Sequence, residues 1–245
     1  MTNKPSQLAL AAFATLWVGT SVGATLYDPG ANTLPSVQGW TTAGAGFSQA
    51  VGGGVYVLDT TLGNAAMAGS ALFNVATLDT AVGFTLDFSL RVLSEAHARD
   101  NRAGYSVIFT GTDPSHALEL AFWNDRVFAY TASFARGSQA LLATTSTTHY
   151  ALSVNNNHYT LRGNSVELLS GALVNYGALG APYTNPGFLF FGDDTSSARS
   201  RTELGLVSLT PIPEPSTVAM LLTGLLALTW RGMHRYARQL SKRPL

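Results

Sequence analysis

Phe84-Thr85-Leu86-Asp87-Phe88-Ser89-Leu90-Arg91-Val92 alternates apolar and polar side chains without a break. In an extended chain a period of two sends Phe84, Leu86, Phe88, Leu90 and Val92 to one face and Thr85, Asp87, Ser89 and Arg91 to the other. A strand with one dry and one wet face suits an antiparallel sheet packed on one side. This stretch decides the fold class.

Further strands are predicted on either side of turn signals. Tyr105–Phe109 and Leu118–Trp123 precede Asn124-Asp125, a tight hairpin into Val127-Phe128. Tyr150–Val154, the Asn155-Asn156-Asn157 turn and Tyr159–Arg162 form a second hairpin, and Gly163-Asn164 begins a third into Val166–Leu169. Phe188–Phe191 and Leu204–Leu209 close the series. No stretch between residues 25 and 210 keeps a helical period, so an all-β, antiparallel β-sandwich is expected. Gly52-Gly53-Gly54 precedes a strand without a following helix and reads as a turn, not as a phosphate cradle.

The ends of the chain have a different character. Lys4, the apolar Leu8–Val18 and Val22-Gly23-Ala24 have the order of a secretory leader, residues 1–24, cut after Ala24. At the other end, residues 211–245 begin with Pro211, Pro213 and Pro215, which disfavour helix, so Ser216 or Thr217 caps a helix over 218–230. That run is 13 residues without a charge, shorter than the roughly 20 a bilayer core needs. Trp230 and the basic tail Arg231, Arg235, Arg238, Lys242 and Arg243 suit a membrane interface with a cytoplasmic-side anchor. Snorkelling arginine stems extend the apolar length.

Pro213-Glu214-Pro215-Ser216-Thr217, a short apolar helix and an arginine-rich end resemble the PEP-CTERM sorting signal of Gram-negative, exopolysaccharide-producing bacteria. The resemblance covers about the last 33 residues. It implies an exosortase-type enzyme that recognises the motif, with signal peptidase and the export machinery acting first. The destination it implies is the cell surface or extracellular matrix, by way of a membrane-anchored intermediate. The strand order of residues 84–130 and Gly187-Phe188-Leu189-Phe190-Phe191-Gly192-Asp193-Asp194 also resemble concanavalin A-like, laminin-G-like jelly rolls. Among those are carbohydrate-binding modules, glycosidases and adhesive domains, so the resemblance leaves function open.

Composition narrows the choices. The 25–210 segment holds eight arginines, no lysine and 13 carboxylates, a balance near −5 that excludes nucleic acid as a favoured partner. The chain has no cysteine, which removes disulfides, thiol chemistry and cysteine metal sites. Glycosidase chemistry on this fold asks for closely spaced carboxylates. The nearest candidates, Glu119 and Asp125, straddle a turn, and Asp87 and Glu167 stand alone. His97, His116, His149 and His158 are scattered, with no Gly-x-Ser-x-Gly elbow. Asp193-Asp194 forms an acidic loop to which Ca2+ could bind, with Asp100-Asn101 and Asn124-Asp125 contributing. The plainer reading is a turn whose carboxylates bond nearby amides and pair with Arg199 or Arg201.

Sugar binding needs exposed aromatic platforms, and Trp40, Trp123, Tyr130, Tyr176 and Tyr183 are available. Tyr176 and Tyr183, in the glycine- and proline-rich 175–187 loop, are expected to be exposed. The expectation is an exported, non-enzymatic structural or adhesive domain. A carbohydrate-binding module for exopolysaccharide is the alternative, and a glycoside hydrolase the more distant one. N-terminal sequencing of the exported protein is expected to begin at Thr25-Leu26-Tyr27, and a product beginning at Met1 would rule out the leader.

Overall fold

The computed structural model describes residues 23–62 and 67–212, together with Thr223, Gly224 and Leu226, which have helical backbone. The alternating stretch opens the long central strand of a two-sheet sandwich. In chain order the strands are β1 (Ala24–Tyr27), β2 (Thr41–Gly44), β3 (Ser48–Gly52), β4 (Val55–Asp59) and β5 (Ala68–Leu72). They continue with β6 (Phe84–His97), β7 (Ser106–Thr110), β8 (Ala117–Phe122), β9 (Arg126–Tyr130) and β10 (Arg136–Leu141). The last are β11 (Thr148–Asn155), β12 (His158–Gly163), β13 (Val166–Ala172), β14 (Leu189–Asp193) and β15 (Ala198–Pro211). The first sheet runs β13-β12-β11-β6-β15-β4-β3, with β1 also on β15; the second runs β10-β9-β8-β7-β14-β5-β2. All the pairs are antiparallel.

The period-two reading of β6 holds at the level of side chains. Phe84, Leu86, Phe88, Leu90 and Val92 are all buried between the sheets. On the wet face, Thr85 meets Ser153 across β11 (Oγ–Oγ 3.2 Å), and Arg91 meets Glu203 across β15 (3.5 Å). Phe88 joins the two layers. It stacks on Tyr150 of its own sheet at 5.2 Å and makes edge contacts with Phe191 and Phe122 of the other at 5.3 and 6.3 Å. Such aromatic pairs add directional energy to the area they bury. They hold the layers together without a disulfide.

The hairpin turns follow from residues that tolerate positive φ. Asn156 and Asn157 (φ 49° and 59°) link β11 to β12, and Asn164 and Ser165 (φ 49° and 70°) link β12 to β13. Gly53 and Gly54 (φ 60° and 78°) link β3 to β4, the turn read from the sequence. Two central residues with φ > 0 suit two-residue hairpins.

Five strands, β1, β2, β3, β5 and β10, carried no legible pattern. Ala68-Gly69-Ser70-Ala71-Leu72 of β5 is an example: its small residues have weak strand preference, and its place between β14 and β2 makes it a strand. In β15 the register shifts between Leu204 and Val207, so Leu204, Val207 and Leu209 all face inward while Leu206 is exposed.

Ala24, the expected last residue of the leader, opens β1 opposite Leu209, and Thr25 and Tyr27 pair with Ser208 and Val207. Among the described residues no helix is long and apolar enough to cross a membrane. Residues 1–22, the motif Pro213–Thr217, most of the 218–230 run and the tail from Arg231 to Arg243 lie outside the described residues.

Phe88→Ala removes the ring shared by both layers. We expect a loss of about 3–5 kcal/mol in denaturant unfolding, the range for a buried Phe→Ala change. A loss under 1 kcal/mol would contradict the role assigned to it.

Candidate functional site

The seven-stranded sheet is apolar on both faces. Val107, Phe109, Leu118, Leu120, Leu189 and Phe191 pack inward against the first sheet. The alternate positions Ile108, Ala117, Ala121, Phe128 and Phe190 belong to a second cluster on the outer face. Such a face needs a cover, and loops provide it. The 175–187 loop lays Tyr176 and Tyr183 over it, and the loop after β9 adds Phe134.

The expected exposure of Tyr176 and Tyr183 is therefore overturned. Tyr176 is fully buried and its hydroxyl donates to Tyr130 O at 2.8 Å. Tyr183 is buried and donates to Glu119 Oε2 at 2.5 Å. The other nominated platforms are likewise covered. Trp40 lies in the main core and donates to Leu26 O, and Tyr130 donates to Asn101 O while stacking on Phe134 at 4.4 Å. Trp123 is stacked by His97 at 3.9 Å and flanked by Arg126 and Arg136. Rings in this chain go first to covering sheet.

What stays open is a pocket of about 720 Å³ between the loops and the outer face. Ile108, Phe134, Phe188 and Phe190 form its walls with Ala71 and Pro182. Phe134 holds a left-handed backbone (φ 60°), unusual for a bulky residue. It is kept there by its own N–H donating to Thr131 O (2.9 Å) and by Asn101 Nδ2 donating to Phe134 O (3.0 Å). The Arg102 guanidinium lies 5.1 Å from the Phe134 ring centre. Strain of this kind concentrates where geometry matters.

Asp194 supplies the pocket with a carboxylate, and Glu119 stands behind it. Ser106 Oγ lies 3.1 Å from Glu119 Oε1 and 3.2 Å from Asp194 Oδ1. Ser106 thus has one hydroxyl proton to share between the two carboxyls. Burial pushes Glu119 well above the ordinary carboxyl range, and the neighbouring Asp194 charge pushes it further. Burial also raises Asp194, but hydrogen bonds from Glu119 and Ser106 oppose the rise. Both carboxyls are held up, Glu119 the more strongly, so Glu119 is the better holder of a proton where two carboxyls share a site.

As read from the sequence, Asp125 lies in the β8–β9 turn, where it bonds to Arg126 at 2.8 Å. Glu119 meets Asp194, which is far away in sequence. The acidic loop does not pair with Arg199 or Arg201. Arg201 lies 3.8 Å from Asp59, while Asp193 accepts from Thr60 Oγ1 (2.8 Å) and from Thr195 N (3.1 Å). The bond to Thr195 N is the turn bond anticipated from sequence. Asp193 and Asp194 thus turn to different partners, and among the described residues no three His, Cys, Asp or Glu side chains are grouped to hold a metal.

Sequence reading missed Ser106, Arg102, Phe134 and the Glu119–Asp194 pair. A signal existed in Ala117-Leu118-Glu119-Leu120-Ala121, where the side away from the core carries small residues around one glutamate. Such a run points to a strand buried on both faces.

Neither a family model nor a curated protein matches the sequence. Among solved structures, a carbohydrate esterase from the Shiga toxin-encoding bacteriophage phi24B superposes with a TM-score of 0.56 at 14% identity, over 78% of this chain and 100% of that one. A Bacillus subtilis protein described as having a galectin-like fold matches with a TM-score of 0.52 at 11% identity, over 79% and 98%. The fold is a galectin-like sandwich. A sialidase matches with a TM-score of 0.52 at 12% identity, over 79% of this chain and 19% of that one. At these identities the likeness establishes the galectin-like architecture alone.

Asp193 is buried and pushed up from 3.8 to about 8, chiefly by desolvation. The folded chain then binds more protons than the unfolded chain from about pH 4 to about pH 8, so stability falls as pH rises through that window. The melting temperature is expected to drop across it, and less steeply in Asp193→Asn. An unchanged slope in the variant would refute the assignment.

Proposed function

We propose that this chain is an exported carbohydrate-binding protein that holds a saccharide in the outer-face pocket of its galectin-like sandwich. The observation that carries the reading is Asp194. It is a half-buried carboxylate at the pocket, oriented by Ser106 and protonated Glu119, beside the aromatic walls Phe134, Phe188 and Phe190. A carboxylate acceptor set among ring faces suits a sugar, which offers hydroxyl donors at its edge and C–H groups on its face. Two of the structural neighbours have carbohydrate names, an esterase and a sialidase, which supports this ligand class.

A hydrolytic role has less support. Retaining glycosidases place two carboxyls about 5–5.5 Å apart across the scissile bond. Here Glu119 is fully buried, with Tyr183 bonded to its Oε2 and Ser106 linking it to Asp194. The PEP-CTERM-like end supports a destination at the cell surface or matrix, reached through a membrane-anchored intermediate and an exosortase, where exopolysaccharide is the saccharide at hand.

A glycan array with the full-length chain tests the proposal. Saturable binding is expected, weakened about tenfold or more in Asp194→Asn by loss of a carboxyl acceptor for the sugar hydroxyls. Phe134→Ala should weaken it as well. No glycan binding, or binding unchanged in both variants, would overturn the reading.

A further inference from the structure

Exposed large hydrophobic side chains cluster at the mouth of the pocket. Met67, Phe73 and Leu179 are 52%, 47% and 46% exposed, and all three line its opening. Isolated exposed hydrophobics are ordinary on a protein surface, but a group around one opening marks a binding site. Behind them the walls are apolar through Ala71, Ile108, Phe188 and Phe190. The ionisable side chains lining the recess are Asp193, Asp194 and Arg102. Asp193 is occupied by Thr60 and Thr195, which leaves Asp194 and Arg102 as the polar end.

A sugar can rest on Phe134 beside Asp194 and Arg102, but a bare sugar leaves the rest of this apolar surface unused. A hexose has hydroxyls around its whole perimeter, and each one buried against Phe190 or Ile108 without a partner would cost free energy. An apolar chain meets no such penalty and gains from leaving water. At about 720 Å³ the recess falls within the roughly 300–1,000 Å³ of sites for drug-sized ligands, room for a chain and a ring together.

We infer that the ligand is a saccharide carrying an alkyl or acyl chain. The chain enters the recess past Met67, Phe73 and Leu179, and the sugar hydroxyls meet Asp194 and Arg102. This rests on the saccharide reading above and makes it more specific.

The test compares methyl β-D-glucopyranoside, octyl β-D-glucopyranoside and 1-octanol by titration calorimetry against the full-length chain, with the octyl glycoside below its micelle-forming concentration. The octyl glycoside is expected to bind at least tenfold more tightly than either other probe. A Met67→Ser/Leu179→Ser double variant, altered only at exposed positions, should lose most of that preference at an unchanged melting temperature. Equal binding of the two glycosides would overturn the chain inference and leave the saccharide reading standing. Octanol binding as tightly as the octyl glycoside would overturn the saccharide reading and leave an apolar recess. A preference that persists in the double variant would place the chain elsewhere and overturn the assignment, as would failure of the octyl glycoside to bind.

Discussion

A sheet apolar on both faces cannot be left half covered. The seven-stranded sheet spends one face on the sandwich core, where Phe109, Phe122 and Phe191 meet the opposite layer, and leaves Ile108, Phe128 and Phe190 on the other. Water against that second face would be costly, so loops that would otherwise be solvated fold back over it. Tyr176, Tyr183 and Phe134 form the cover, and the pocket is the part the cover does not reach. The site therefore follows from an incomplete solution to a burial problem.

The same cover explains a fully buried glutamate. Glu119 lies on the outer face of β8 where Tyr183 closes over it, and an isolated carboxylate there would be prohibitively expensive. Neutralisation solves this: Glu119 is held toward its protonated form, and Ser106 and Tyr183 bond its two oxygens, while Asp194 reaches the pocket. The backbone makes room for this group. Gly69 and Gly192 face each other across β5 and β14, and a Cβ on Gly69 would come within 2.5 Å of the Phe190 ring. Small residues that weakened the strand signal of β5 are what let an aromatic wall lie flat on the sheet.

A chain without cysteine has no disulfide to staple its sheets and relies on apolar burial. Phe88 and its neighbours meet that demand at the centre of the sandwich. The result is a two-layer frame with the pocket on one outer face, bordered by loops that are themselves part of a packed cluster.

The alternating residues of β6 settled the strand, its dry face and the sheet class unaided, because a period of two is a local property that neighbours only reinforce. The asparagine and glycine turns were legible for the same reason, since positive φ is a demand on single residues. Strands β1, β2, β3, β5 and β10 were not legible, because pairing with neighbours, not local preference, makes them extended. The exposure of Tyr176 and Tyr183 was misjudged because a loop rich in glycine and proline looks solvated until the face it must cover is known. The pairing of Glu119 with Asp194 belongs to the tertiary structure alone: β7 brings the two carboxyls to one serine across gaps of 13 and 88 residues, and no sequence spacing encodes that meeting.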